Sequence, residues 1–255
     1  MPASETVLYE VIGSLARITL NRPEKRNALN DELVAALKDA LRRVDNERDV
    51  RAVILAGAGA DFCSGADLKE LQKSSTASVA DNLEDAVALM ELFNLIRQVR
   101  VPDIAAVKGR ALAGGCGLAT ACDLVLAARS ARFGYPEVRI GFVPAIVMAI
   151  LRRNVSEKRA FELVTLGLDI TAEEALTLGL INRVFDDKQF DDQVEAFARL
   201  FEKVSRSAVS LSKKLIYQID EMTFEDALQT GVDVNVTARM SEDYRGGIEK
   251  LLSRD

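Results

Sequence analysis

Five short apolar runs, at 7–12, 15–20, 52–56, 103–107 and 124–127, alternate with stretches of helical periodicity, and that alternation commits the chain to an α/β core. Val7 to Ile12 and Leu15 to Leu20 flank Gly13-Ser14, a two-residue hairpin connection. Asn30-Asp31 supplies a helix cap ahead of Leu33, Leu37, Leu41 and Val44, which recur at helical spacing. Leu83, Val87 and Met90, then Leu92, Ile96 and Val99, mark a long amphipathic helix, and Leu118 to Cys122 opens another after the loop at 110–117. Beyond about Pro144 the pattern turns wholly helical, with segments at 156–166, 172–178, 190–204, 207–219, 223–238 and 241–252. Several of these carry more apolar surface than one small lobe can cover, so docking on the core or on another subunit is expected. The division expected is an α/β core over 1–195 and a helical oligomerisation region over 196–255.

The chain contains no histidine, which excludes a Ser-His-Asp triad, a Cys-His dyad and any histidine metal site. Its three cysteines, Cys63, Cys116 and Cys122, have no CxxC spacing and read as free thiols in a reducing compartment, with no zinc or other metal site expected. The net charge of −6 argues against a general nucleic-acid partner, because phosphate neutralisation needs a basic surface. The first residues, MPASETVLYEVIG, lack a basic segment followed by an apolar run, and no stretch of about 18 apolar residues suggests a membrane span. These features give the expectation of a soluble, cytoplasmic protein with no membrane partner.

Two loops share one arrangement: a buried strand, small residues, then a helix. Cys63-Ser64-Gly65-Ala66-Asp67 follows the strand at 52–56, and Ala113-Gly114-Gly115-Cys116-Gly117 follows the strand at 103–107. Small residues let a ligand approach the backbone, and amides at helix starts are natural anion donors. If the loops converge, one N–H from each can clamp a thioester or carboxylate oxygen; the plain alternative is a pair of tight turns. A dinucleotide fingerprint fits poorly, since Thr120 stands where a third glycine or alanine is needed.

Several segments together resemble the crotonase superfamily, the enoyl-CoA hydratase/isomerase family. They are ITLNRPEKRNALN at 18–30, AVILAGAGADFCSGADLKEL at 52–71, AAVKGRALAGGCGLATACDLVLAA at 105–128, ARFGYPEVRIGFVPA at 131–145 and TAEEALTLGLINRV at 171–184. The resemblance spans nearly the whole chain and implies a crotonase-like spiral of ββα turns with a helical C-terminal trimerisation region. It implies a homotrimer or a hexamer, and an acyl-CoA substrate that brings coenzyme A as part of itself, with no separate cofactor. By the same resemblance the backbone N–H groups of Ser64 and Gly114 form an oxyanion hole, and Glu137 is the catalytic proton carrier. Ser64, Gly65, Ala66, Asp67 and Leu68 are implied to line the substrate path, as are Ala28, Gly114 and Ala145. Lys25, Arg26 and Lys69 are solvated charges that can meet phosphates near the mouth, as can Lys250 across a subunit boundary.

One departure bears on the reaction. Typical hydratases of the family carry a second glutamate three residues after the oxyanion-hole glycine, and here that position is Gly117. The glycine-rich run that usually follows the Pro-Glu loop is Pro144-Ala145-Ile146-Val147-Met148, bulkier and more apolar. A site with one carboxylate suits a double-bond shift, because one base removes a proton and returns it elsewhere. A single-glutamate hydratase, other enolate chemistry such as decarboxylation, and a non-catalytic acyl-CoA-binding protein remain the alternatives. Read from the residues alone, Asp67 suits a turn or helix cap, Cys116 and Cys122 suit the core, Cys63 packs or meets electrophiles, and Lys213-Lys214 is a solvated helix face.

Overall fold

In the computed structural model residues 6–253 are described, so Met1 to Glu5, read above for a leader, and the last two residues of the helical region lie outside the described residues. Strands β1 (Val7–Ile12) and β2 (Leu15–Leu20) form the expected hairpin, with Ile12 opposite Leu15 and Gly13 at a positive φ of 63°. Helix α1 (Asp31–Asn46) is capped by the Asn30 side chain, which accepts from the Leu33 amide, and it buries Leu33, Leu37, Leu41 and Val44.

Strand β3 (Ala52–Gly57) leads through the first small-residue loop to α2 (Leu68–Ser74) and α3 (Val79–Gln98). Strand β4 (Asp103–Val107) is followed by a short strand β5 (Arg110–Leu112) and then α4 (Gly114–Ala121). Strand β6 (Leu124–Ala128) is likewise followed by a short strand β7 (Arg132–Gly134). The larger sheet has the order β1-β2-β3-β4-β6 and is parallel except at the hairpin. The short segments stack beside it: Cys63 bridges Ala111, Ala111 pairs with Phe133, and Phe133 pairs with Ile170. Each turn of chain thus contributes one strand to the large sheet and one short segment to the stack, which is the spiral of ββα turns.

The central strands β3, β4 and β6 are buried on both faces, which explains why they read as continuous apolar runs, whereas the edge strand β1 is largely exposed. Ile18, Leu20, Val53, Leu55 and Val107 join the larger core, while Ile54, Ile104 and Leu126 alternate to the other face and meet Phe190 and Val194.

After β7 come α5 (Ala145–Asn154), α6 (Glu157–Leu166), a two-residue strand β8 (Ile170–Thr171) and α7 (Ala172–Thr177). The next strand, β9 (Arg183–Phe185), returns to the large sheet and pairs with β6. The segment beyond Pro144 is therefore not wholly helical. Strands of two or three residues show no alternation long enough to read in sequence, and tertiary pairing alone defines β5, β7, β8 and β9. The expected boundary between 195 and 196 falls inside α8 (Phe190–Ala198), whose Phe190, Val194 and Ala198 are all buried.

Helices α9 (Arg206–Gln218), α10 (Phe224–Met240) and α11 (Glu242–Leu252) complete the described chain. Lys213 on α9 is not on a solvated face. It is buried, with its ammonium 2.5 Å from Asp103 and 2.8 Å from Asp123 and donating to the carbonyls of Ile96 and Val101. One positive charge thereby bridges the starts of two core strands and pins α9 to them; Lys214 is the exposed neighbour. Helices α10 and α11 bury no residue. Among the described residues no helix is long and apolar enough to cross a membrane.

Candidate active site

The two small-residue loops do converge. Gly65 has a φ of 94°, and a side-chain carbon on it would lie 2.7 Å from Ala113 Cβ and 3.6 Å from the Gly114 nitrogen. Only glycine allows that approach. Ala113 has the unusual φ of 51° at the start of α4, directly before the Gly114 amide. Each loop thus releases an amide directly after a residue of positive φ: Ala66 after Gly65, and Gly114 after Ala113. Neither amide has an acceptor among the described residues.

Ser64 does not fill the role expected of it, because its amide donates to the Arg26 carbonyl at 3.1 Å. Its neighbours are also engaged: Leu29 donates to the Gly65 carbonyl at 2.7 Å, and Asp67 donates to the Leu29 carbonyl at 2.8 Å. Ala66 supplies the free donor of this loop. The signal in the sequence was the glycine preceding it, which parallels the position of Gly114 after a turn residue.

The sequence pattern opens this helix at Leu118, whereas α4 begins at Gly114 and seven of its eight residues are buried. Its glycines are there for space. A side-chain carbon on Gly115 would meet the Cys63 carbonyl oxygen at 2.3 Å. One on Gly117 would meet Val147 Cγ1 at 1.8 Å and Phe93 Cζ at 3.4 Å. Val147, from α5, therefore occupies the volume that any side chain at 117 would need.

Glu137 sits in a single 3-10 turn, Pro136–Ile140, immediately after β7. β7 is tied to the second loop, because the Ala113 amide donates to the Gly134 carbonyl at 2.8 Å. The Glu137 residue is buried and its Oε2 has no hydrogen-bond partner among the described residues. Burial holds its carboxyl above the ordinary glutamate range, against a smaller opposing effect of its own backbone amide. A buried carboxylate oxygen left without a donor is costly, and such groups gather at functional sites. Asp169 is a further carboxylate near this turn, exposed and adjacent to Gly134.

Asp67 is buried and caps α2, accepting from the Lys69 amide at 3.0 Å; that bond and the Arg22 guanidinium hold its carboxyl below the usual range. Lys25, Arg26, Leu68 and Lys69 are exposed around it, and the Lys25 charge reaches Asp67. Ala28 is buried and accepts from Arg22, while Ala145 is exposed at the start of α5. Lys250 is exposed on α11, a helix that packs on α9 and α10. Arg22 lies within the NRPEKRNAL run but carried no separate signal. All three cysteines are buried; burial pushes the thiols of Cys63 and Cys116 up to about 12 and raises that of Cys122 as well, so Cys63 packs and offers no thiolate.

Residues 10–254 match the family described as enoyl-CoA hydratase/isomerase. A Thermus thermophilus protein assigned as an enoyl-CoA hydratase is 38% identical over 95% of this chain and 96% of its own length. The 1,2-epoxyphenylacetyl-CoA isomerase of Escherichia coli is 32% identical over 98% of this chain and 96% of its own. The crystal structure of a Mycobacterium smegmatis enoyl-CoA hydratase superposes with a TM-score of 0.93 at 33% identity, covering 98% of this chain and 96% of that one.

Proposed function

The chain belongs to the enoyl-CoA hydratase/isomerase family of the crotonase superfamily, and from its site we propose a double-bond shift in an acyl-CoA thioester, with Glu137 as the acid and base. The observation that carries this reading is the Val147 methyl in the space beside Gly117, where the family's hydratases keep a second carboxylate.

The thioester carbonyl oxygen accepts from the Ala66 and Gly114 amides. Those donors favour the enolate over the ground state because charge builds on the oxygen they face. The Glu137 carboxylate takes a proton from C2 of a 3-enoyl-CoA, and the C–H electron pair moves into the dienolate. The neutral carboxyl then gives its proton to C4, which leaves the 2-enoyl-CoA and restores the carboxylate. No water and no separate cofactor enters this sequence; coenzyme A enters as part of the substrate. Its phosphates meet the exposed Lys25, Arg26 and Lys69 at the mouth.

The helical region completes the picture as a subunit interface. Phe224, Leu228, Val232, Val236 and Met240 recur every four residues along α10, and each is more than half exposed. A stripe of that size supports assembly into a trimer or hexamer.

The test is turnover in ¹⁸O-water with a 3-enoyl-CoA and a 2-enoyl-CoA of different chain length supplied together. Conversion of the first with no label in either product is the expected result. Labelled oxygen in the second would replace this reading with hydration.

A further inference from the structure

Residues 22–29 lie across the loop that carries the Ala66 amide and are themselves fixed from below. Asn27 is completely buried at a φ of 54°. Its side-chain amide donates to the carbonyls of Ala58 at 2.9 Å and Asp61 at 2.8 Å, while its oxygen accepts from the Arg22 amide at 2.9 Å. Arg26 shares the left-handed conformation at 52°, and its carbonyl is the one that accepts from Ser64. Two adjacent left-handed residues that are not glycine are strained, and a strained backbone persists only where its surroundings over-determine it.

This strap engages Ser64 N–H, the Gly65 carbonyl and Asp67 N–H, and it leaves Ala66 N–H as the free donor of the loop. One ion pair joins strap to loop. The Arg22 guanidinium holds the strap's Ala28 carbonyl with Nη1 and the loop's Asp67 carboxylate with Nη2 at 2.8 Å. The side chains are 14% and 8% exposed, so the pair is shielded from salt and water. The other Asp67 oxygen starts α2 through the Lys69 amide.

We propose that Arg22 and Asp67 are positioning residues whose ion pair sets the direction of the Ala66 donor towards the thioester oxygen. The inference rests on the oxyanion role of Ala66 given above. A donor of this kind acts only when held within about 0.5 Å of its productive place, and the pair ties the strap to the residue next to Ala66. A lysine at 22 offers one point charge in place of the fork and cannot hold both partners in the same plane.

The experiment uses an enoyl-CoA with a ¹³C-labelled thioester carbonyl bound to the wild-type enzyme, to Asp67→Asn and to Arg22→Lys. The carbonyl stretch is read by infrared difference spectroscopy beside kcat, KM and thermal unfolding. Asparagine keeps the helix cap and removes the charge. The expected result is a downshifted stretch in the wild type and a smaller downshift in the folded Asp67→Asn enzyme. Its kcat falls about tenfold or more while KM changes by less than about threefold. Arg22→Lys falls between the two. A folded Asp67→Asn enzyme with the full downshift and wild-type kcat would make the pair a purely structural contact and overturn the inference. If that variant does not fold, Arg22→Lys carries the same comparison. A wild-type enzyme with no downshift would overturn the oxyanion reading itself, and the inference with it.

Discussion

The Cγ1 methyl of Val147 lies 1.8 Å from the place a side-chain carbon on Gly117 would occupy, so the valine and the glycine share one residue's worth of space. The bulk on α5 and the lack of it on α4 are two halves of one packing solution. In the wild-type fold a carboxylate cannot be added at 117 unless Val147 gives way.

Gly117→Glu alone should lose about 1–3 kcal/mol of stability in urea unfolding, the ordinary cost of overpacking a close-packed core. Adding Val147→Ala leaves contacts of 3.2 Å with the Cβ of residue 147 and 3.4 Å with Phe93 Cζ, and should recover much of that loss. The double variant should also gain hydration of a 2-enoyl-CoA, read as ¹⁸O uptake. A single variant as stable as the wild type would show that the two positions do not compete.

The burial of Glu137 predicts the acidic limb of the pH profile. The group must be ionised to accept a proton, and its carboxyl is held above the ordinary glutamate range. Activity, as kcat/KM, should therefore rise with pH through an apparent value above that of an ordinary glutamate. For stability the sign is opposite. The folded state binds this proton more tightly than the unfolded chain, so stability falls as pH rises from the unfolded value through the folded one. Glu137→Gln should thus gain stability relative to wild type across that window. An activity limb at the ordinary glutamate value would contradict the assigned environment.

Much of this was legible in the sequence, and the failures have physical causes. The strands at 52–56, 103–107 and 124–127 were readable because a sheet buried on both faces writes an unbroken apolar run. β9 was not, since three residues ending in Phe185 show no pattern until β6 pairs with them. Lys213 looked solvated because a lysine beside another lysine carries no sign of the two aspartates that wait for it. Those aspartates lie 110 and 90 residues away in the chain. The Glu137 turn and the Gly114 loop stand out in the sequence through their flanks. The Arg26 carbonyl takes the Ser64 amide and leaves that of Ala66 free, and a string of small residues does not reveal which amide such an acceptor will take.

Lys213→Met should be strongly destabilising, by about 3–5 kcal/mol, because it leaves Asp103 and Asp123 facing each other without their shared cation. Tyr217, which donates to Asp123 at 2.6 Å, cannot replace that charge. Chemical denaturation measures the loss. A change below about 1 kcal/mol would mean that the aspartates find solvent when the lysine is removed.

The thiols offer a probe of the core. Cys63 and Cys116 are buried with their thiols pushed up to about 12, so at pH 8 the native protein should react with a disulfide reagent only as fast as it opens. Denaturant should release three thiols per chain. Rapid native labelling of Cys63 would show that the wall between the two loops is open to solvent.

The measurement that bears most directly on the account is turnover of a 3-enoyl-CoA by Glu137→Gln, with acyl-CoA binding measured on the same preparation. The account predicts a kcat lower by about 10²-fold or more with binding retained, because the amide keeps the shape and cannot carry the proton. Wild-type turnover by that variant would contradict it and move the proton transfer to another residue.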